Sequence, residues 1–277
     1  MSKTILVLGG GGTKGIAHVG AWRAITEAGL PVDEIVGTSI GSLIGSLIAY
    51  GMPLDELERR ARLLRKEQII GINRWAMLFN GIRQKSVFRD DPFRNYLSEV
   101  LPVERFEQLP MPLGINAVDL ETGLSEWFGS GGRSDVSLAE AVYASSALPP
   151  FFPPTTIDGR HFVDGGVSEV LAISRAKERR ADLVIAIDVG AGPVKDAYDV
   201  VSKGMIAIQH RVNDIVTYTR RQARLQLWTG PHLVYARPRM DGYSTFDFDS
   251  TDYFLEEGYR ATCEVLKRHG MWRRAAG

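Results

Sequence analysis

Residues 34–50 read Glu34-Ile35-Val36-Gly37-Thr38-Ser39-Ile40-Gly41-Ser42-Leu43-Ile44-Gly45-Ser46-Leu47-Ile48-Ala49-Tyr50. Two periodicities meet inside this stretch. Ile35 and Val36 form a short apolar strand, and Ile40, Leu43, Ile44, Leu47 and Ile48 recur at helical spacing. The junction is Gly37-Thr38-Ser39-Ile40-Gly41, a G-x-S-x-G at a strand-to-helix turn, which is the context a nucleophile elbow requires. Small flanking residues let the turn close, the serine hydroxyl stands exposed at the strand's end, and the helix N-terminus brings partial positive charge beside it. A glycine-rich turn with a capping serine has the same local sequence. This stretch alone leaves both readings open.

Working outward, Thr4–Leu8 is a buried strand by apolar content and β-branching. Gly9, Gly10, Gly11, Gly12, Thr13, Lys14 and Gly15 follow, and residues 16–28 read as a helix ended by Gly29 and Pro31. Its small residues Ala17, Gly20, Ala21 and Ala24 predict close packing on the sheet. The helix after Ser39 stops at Gly51 and Pro53, so the chain begins strand, helix, strand, helix, a parallel βαβ start. A third helix is expected over 54–66, whereas 67–97 has no readable period. Residues 112–118 and Leu124–Phe128 read as partner strands around the turn Glu121-Thr122-Gly123. Ser137 and Glu140 form a capping box opening a helix to Ala147. The prolines of 148–154 exclude helix and central strand there. Asp158-Gly159 marks a hairpin between Thr155–Ile157 and His161–Val163, and Asp164-Gly165-Gly166 follows at once. A buried strand over 183–189, a long amphipathic helix over 200–228, a strand His232–Ala236 and a helix over 252–269 closed by Gly270 complete the chain. No linker, repeat or low-complexity segment divides it, which predicts an α/β fold in a single domain over 1–277.

The 277 residues carry 33 basic and 33 acidic side chains, so no global basic field points to nucleic acid. The single cysteine, Cys263, excludes an intrachain disulfide and a cysteine-based zinc site. No apolar run approaches a membrane span, and the N-terminal run is too short for a signal peptide. A cytoplasmic protein is expected. Locally the charge is uneven. Arg60, Arg62, Arg65, Lys66, Arg74, Arg83, Lys85 and Arg89 face one acidic residue, Glu67, and interleave with Trp75, Met77, Leu78, Phe79 and Ile82. This stretch is either a lid or docking face on anionic membrane or a core-packing helix pair with solvated basic edges.

The glycine run after the first strand has three readings. Gly10-x-Gly12-x-x-Gly15 matches a dinucleotide fingerprint, which also needs an acidic residue ending the second strand. Asp33 precedes that strand, and Ser39 occupies its end. A Walker loop fails because Lys14 is followed by Gly15 rather than Ser or Thr. The third reading is an oxyanion hole of glycine amides at a helix N-terminus, beside Ser39 on the adjacent parallel strand. A serine nucleophile needs a base. None of His18, His161, His210, His232 and His269 sits on an evident loop at a strand's C-terminal end. Asp164 does end a strand and is followed by two glycines, where it could accept or orient a proton; a turn aspartate before Gly-Gly is the plainer reading.

Gly10–Gly15, Gly37–Gly41 and Asp164–Gly166, in that order, resemble the three signature blocks of the patatin-like phospholipase family. Ala144-Ser145-Ser146-Ala147-Leu148-Pro149 resembles its fourth block. The similarity runs from about residue 4 to 190, and the C-terminal strand and helix resemble bacterial cytoplasmic members. The resemblance implies a three-layer α/β/α sandwich around a mostly parallel sheet, and a Ser-Asp dyad that hydrolyses lipid acyl esters through an acyl-enzyme without metal or organic cofactor. Carried over by motif, Ser39 is the nucleophile and Asp164 the base. The amides of Gly11 and Gly12 form the oxyanion hole, with Gly10 shaping the loop. Lys14, Gly15, Gly37, Gly41, Gly165 and Gly166 support these blocks. Where family members usually carry an asparagine and prolines after Asp-Gly-Gly, this chain has Val167–Ile173. The expected partner is a lipid or other acyl ester, with peripheral contact at the inner membrane surface and no nucleic acid. Two rivals stand beside this reading: an α/β-hydrolase with a Ser-Asp-His triad through His232, and a non-catalytic regulatory protein on the same fold.

Overall fold

The structure, a computed structural model, describes residues 2–72, 84–193 and 196–272. β1 (Thr4–Leu8) leads through a 3-10 turn (Gly12–Ile16) into α1 (Ala17–Glu27), and β2 (Glu34–Gly37) leads into α2 (Ile40–Tyr50). Then come α3 (Leu54–Leu63), α4 (Lys66–Ile69), β3 (Gly71–Ile72), β4 (Phe88–Arg89) and α5 (Asp91–Val100). The middle of the chain forms β5 (Leu113–Asp119), β6 (Ser125–Gly129), α6 (Leu138–Ser146), β7 (Thr155–Ile157), β8 (Arg160–Asp164), α7 (Gly166–Glu169) and α8 (Ile173–Glu178). The last elements are β9 (Leu183–Ile187), α9 (Ala197–Ser202), α10 (Met205–Gln226), β10 (His232–Ala236) and α11 (Thr251–Arg268).

The main sheet runs in the order β10-β9-β1-β2-β5-β8-β7, with β6 also paired to β5. From β10 to β5 every neighbouring pair is parallel, and β6, β8 and β7 pair antiparallel. The sheet is mixed and mostly parallel. β1 is buried on both faces, so its sequence shows no alternation. Leu6 and Leu8 join a core with α1, α2 and α11, while Ile5 and Val7 join a second core with Ile173 and Ala176 of α8. Each such side chain contributes roughly 1.5–3 kcal/mol by leaving water. Helices on both faces give the α/β/α layering.

Several expectations change in detail. The helix expected over 200–228 is two, because Gly204 takes a positive φ of 82° and separates α9 from α10. Gly20 of α1 turns to α11 rather than to the sheet: a Cβ there would lie 2.9 Å from Tyr259 N, and Gly258 on α11 makes the same close approach in return, where a Cβ would lie 2.7 Å from the Ala17 carbonyl carbon. Asp158 and Gly159 both have positive φ, 49° and 77°, as a two-residue hairpin turn requires. Asp33 accepts from Thr4 N at 2.7 Å, at the start of the sheet's strands and away from the glycine loop. Of the expected membrane face, Arg74, Trp75, Met77, Leu78, Phe79, Ile82 and Arg83 lie outside the described residues. Within them, Arg60 pairs with Glu56, Arg62 with Glu58 and Asp252, and Arg89 with Asp91, so those charges are locally compensated. Among the described residues no helix is long and apolar enough to cross a membrane.

Candidate active site

The register of β5 brings two distant pieces of chain together. β2 runs parallel along one edge of β5 and ends with Gly37 opposite Ile115. β6 occupies the other edge, from Gly114 to Val118. β8 therefore pairs on the same edge as β2 but from the opposite direction, from Asp119 opposite Phe162 down to Ala117 opposite Asp164. The two strands meet head-on over Asn116, and both chains must turn off the sheet there. One turn carries Ser39 and the other Asp164.

Two buried residues hold the turns in register. Asn116 accepts from the Thr38 hydroxyl at 2.9 Å and donates from its amide to Gly165 O at 3.2 Å. Ser145, on α6, accepts from Ser39 N through its hydroxyl at 2.9 Å, and its carbonyl accepts from Gly165 N at 3.2 Å. Each thus ties the serine turn to the aspartate turn. Thr38, Asn116 and Ser145 are all fully buried, so these bonds have no water to replace them.

Ser39 is the N-cap of α2 with φ 54° and ψ −127°, a conformation that costs a non-glycine residue about 1–3 kcal/mol. The turn is closed tightly: a Cβ on Gly37 would lie 2.6 Å from Gly41 O, and one on Gly41 would overlap the Leu8 carbonyl. This is why G-x-S-x-G needs its glycines here. Asp164 is 2% exposed. Burial pushes its carboxyl up from the ordinary 3.8 to about 6, partly offset by the nearby Ser39 hydroxyl and by the Gly166 amide. Gly166 N donates to Asp164 Oδ1 at 2.7 Å. A Cβ on Gly165 would press into the Asn116 side chain, 2.5 Å from its carbonyl carbon.

The glycine loop lies between β1 and α1, next to Ser39. Its first two amides are engaged: Gly9 N donates to Ile187 O at 3.1 Å and Gly10 N to Val170 O at 2.8 Å. Thr13 N donates to Thr245 O at 2.9 Å. Between these anchors the amides of Gly11 and Gly12 have no protein acceptor among the described residues. Gly10 thus shapes the loop rather than offering a donor. The loop also leaves no room for side chains, since a Cβ on Gly11 would overlap the Val189 carbonyl and one on Gly12 the Thr245 carbonyl. Replacing either with alanine would therefore disturb the fold as well as the site. From below, His18 bonds Gly9 O at 2.8 Å; burial pushes its ring down to about 4, which keeps it neutral at neutral pH.

Ser39 stands between two unlike spaces. On one side Gly11, Gly12, Lys14, Ser39 and Asp164 line a cavity of about 380 Å³, whose opposite wall is His210, Asn213, Asp214, Thr217 and Arg220 of α10. Lys14 is buried, which lowers its proton affinity, and nearby Asp214 partly restores it. On the other side a narrower space of about 70 Å³ is lined by Ile16, Ile40, Leu43, Phe93, Phe152 and Phe246. The histidines do not form a triad with Ser39. His232 starts β10 opposite Leu183, at the end of the sheet away from Ser39, and bonds His269 at 3.0 Å. This removes the reading through His232. His210 does line the cavity, but its Nε2 contacts Thr245 Oγ1 at 3.0 Å.

The family model for patatin-like phospholipase matches residues 6–176. The chain belongs to the patatin-like phospholipase family. Lysophospholipase NTE1 of Coccidioides immitis (strain RS) is 30% identical over 281 residues, covering 95% of this chain and 17% of that protein. An uncharacterized NTE family protein of Mycobacterium tuberculosis (strain ATCC 25618 / H37Rv) is 33% identical over 198 residues, covering 70% of this chain and 52% of that protein. The chain thus spans only part of the length of these curated relatives. Among solved structures, VipD from Legionella pneumophila superposes with a TM-score of 0.63 over 97% of this chain and 67% of that one, at 17% identity, a likeness of fold. Patatin-like phospholipases are carboxylic ester hydrolases. The segment in which this chain departs from the usual family pattern, Val167–Ile173, is put to use here: Val170 O accepts the Gly10 amide, and Glu169 pairs with Arg224 at 3.1 Å. Asn116 is not among the residues the sequence singles out, and His210 is weighed there only as a base and set aside as mid-helix. For Asn116 the signal was present, a lone amide inside an otherwise apolar strand; that His210 lines the cavity depends on neighbours from distant parts of the chain.

Proposed function

We propose that this patatin-like protein is a serine acyl-ester hydrolase whose Ser39 and Asp164 act as a dyad on lipids with a single acyl chain, such as lysophospholipids. The observation that carries the reading is the buried Asp164 carboxyl, which lines the same cavity as Ser39 and is lifted by burial to about 6. A carboxylate of that basicity, desolvated and facing a hydroxyl, is suited to general-base work near neutral pH.

In the proposed cycle Ser39 Oγ attacks the ester carbonyl carbon as its proton passes to Asp164. The amides of Gly11 and Gly12 receive the oxyanion; a donor of this kind contributes about 2.7–4 kcal/mol to lowering the barrier. Collapse breaks the carbon–oxygen ester bond, and the leaving alcohol takes the proton from Asp164. Water then attacks the acyl-enzyme, giving its proton to the same carboxylate, and the fatty acid leaves. The narrow apolar space suits one acyl chain, and the wider cavity with Lys14 and Arg220 suits a polar head group. The name of the fungal relative, lysophospholipase, supports the same class.

The test is a fluorophosphonate probe followed by mass spectrometry, with lysophosphatidylcholine hydrolysis measured in parallel. The expected result is a single adduct on Ser39, lost in Ser39→Ala together with fatty-acid release. A folded protein that neither labels nor hydrolyses would favour a non-catalytic role, and an adduct on another serine would displace the dyad.

A further inference from the structure

Helix α10 is built inside-out. Its side toward the protein carries His210, Asp214 and Arg221; Arg221 is buried and pairs with Asp188 at 2.9 Å. Its outer side carries Met205, Ile208, Val212, Ile215 and Val216, which are 40–71% exposed. At 3.6 residues per turn these five fall within one arc of about 100°. A surface helix of a water-soluble protein normally has the reverse arrangement. The row also continues beyond the helix. Val216 lines the cavity that holds Ser39 and Asp164, and so do Leu120 and Val167, both exposed at its mouth. Arg220 stands at the same mouth and donates to Val167 O. The exposed apolar surface therefore leads into the proposed active site and is bordered by cationic groups.

We propose that this face, α10 together with Leu120 and Val167, docks on a phospholipid bilayer bearing anionic head groups, so that the mouth of the cavity opens onto the membrane surface. The apolar row enters the interface, and Arg220 at the cavity mouth meets the head groups. A bilayer is favoured over a second copy of the chain by continuity. A partner helix seated along Met205, Ile208, Val212 and Ile215 would cover α10 alone, whereas a lipid surface covers the row and the mouth together. The substrate side of this inference rests on the proposed hydrolase reading, but the docking can be tested without it.

Wild-type protein, Ser39→Ala and the triple variant Ile208→Ser/Val212→Ser/Ile215→Ser are sedimented with vesicles of phosphatidylcholine, with and without phosphatidylserine. Circular dichroism checks the fold. Wild type and Ser39→Ala are expected to bind alike, more tightly to the anionic vesicles and less at high salt, with the triple variant weakened about tenfold or more. The triple variant should hydrolyse a water-soluble short-chain ester like wild type, yet release less fatty acid from lysophosphatidylcholine held in those vesicles. Wild type that stays in the supernatant overturns the docking face, as does a triple variant that sediments like wild type. So does a solution dimer that the triple substitution dissociates while vesicle binding is unchanged. Vesicle binding with no hydrolysis of any ester would support the docking face and sink the hydrolase reading; soluble-ester hydrolysis without vesicle binding would do the opposite.

Discussion

The floor of the candidate site and its roof are made in opposite ways. On the floor, Thr38, Asn116 and Ser145 are fully buried, and their polar atoms bind partners on both turns. Such a network admits one arrangement, because any displacement strands a polar group away from water. In the roof helix α10 only Arg221 is buried, and much of the apolar surface faces outward. A segment with so little burial lies at the low end of local stability. The difference is one of construction: the floor fixes Ser39 and Asp164 of the proposed dyad in place, whereas the roof is held by few buried side chains.

The largest effect should come from the floor itself. Under the proposed dyad, Ser39→Ala lowers ester turnover by about four orders of magnitude or more, with an unfolding midpoint close to wild type because the hydroxyl supports no other element. A residual rate near wild type would end the assignment. Asp164→Asn should cost turnover by about three orders of magnitude, and it carries a second readout in pH. With its folded pKa raised from 3.8 to about 6, Asp164 binds its proton more tightly in the folded chain. Its contribution to stability is full below about pH 4 and is lost as pH rises through 6, in total about 3 kcal/mol. The kcat/KM of the wild type should climb through the same window as the base form appears. Asparagine should flatten that part of the stability curve; urea unfolding between pH 4 and 7 checks this, and an unchanged slope would mean that the carboxyl is not desolvated.

Asn116→Ala comes next. It removes one hydrogen bond from each turn, at about 0.5–1.5 kcal/mol apiece, leaving the Thr38 hydroxyl only the longer bond to Glu169 O and the Gly165 carbonyl its bonds from Ser168 N and Glu169 N. Loosening both turns should lower kcat by about a hundredfold with little change in labelling stoichiometry. A loss confined to stability would make Asn116 a structural residue only. The smallest effect on turnover is expected from the roof. Arg221→Leu removes the buried pair with Asp188, which keeps Arg237 at 2.8 Å. Hydrogen exchange across Met205–Gln226 should rise about tenfold, while hydrolysis of a small soluble ester changes by less than about threefold. Unaltered exchange would show the roof to be as firmly held as the floor, and the contrast would fail.

Much of the fold was legible in the sequence because its signals are local. The apolar run Thr4–Leu8, the change of period across Gly37–Gly41, the capping box at Ser137 and Glu140 and the Asp158-Gly159 turn each lie within a few residues, and each element forms where it was expected. The mostly parallel sheet follows from the βαβ start. What was not legible depends on register between distant strands. Nothing near Asn116 indicates that β2 and β8 will share one edge of β5. The apolar period of 200–228 was readable as amphipathic, but period does not say which face is buried, and here the polar one is. The break at Gly204 is a conformational fact about one glycine inside an otherwise helical run. Ser39 and Asp164 could be named by motif, whereas the ties that bring them into one cavity belong to tertiary structure.

The meeting of β2 and β8 on one edge of β5 also governs how the protein comes into being. A chain synthesised from its N-terminus completes β1, β2 and β5 while Ala117–Asp119 still has a bare edge, and bare strand edges recruit other chains. That gap closes only when Arg160–Asp164 arrives. The nascent protein therefore holds its serine elbow for a time with no carboxyl in reach. The strand that carries Asp164 is thus the one that covers this stretch of β5, while the other edge of β1 still waits for β9.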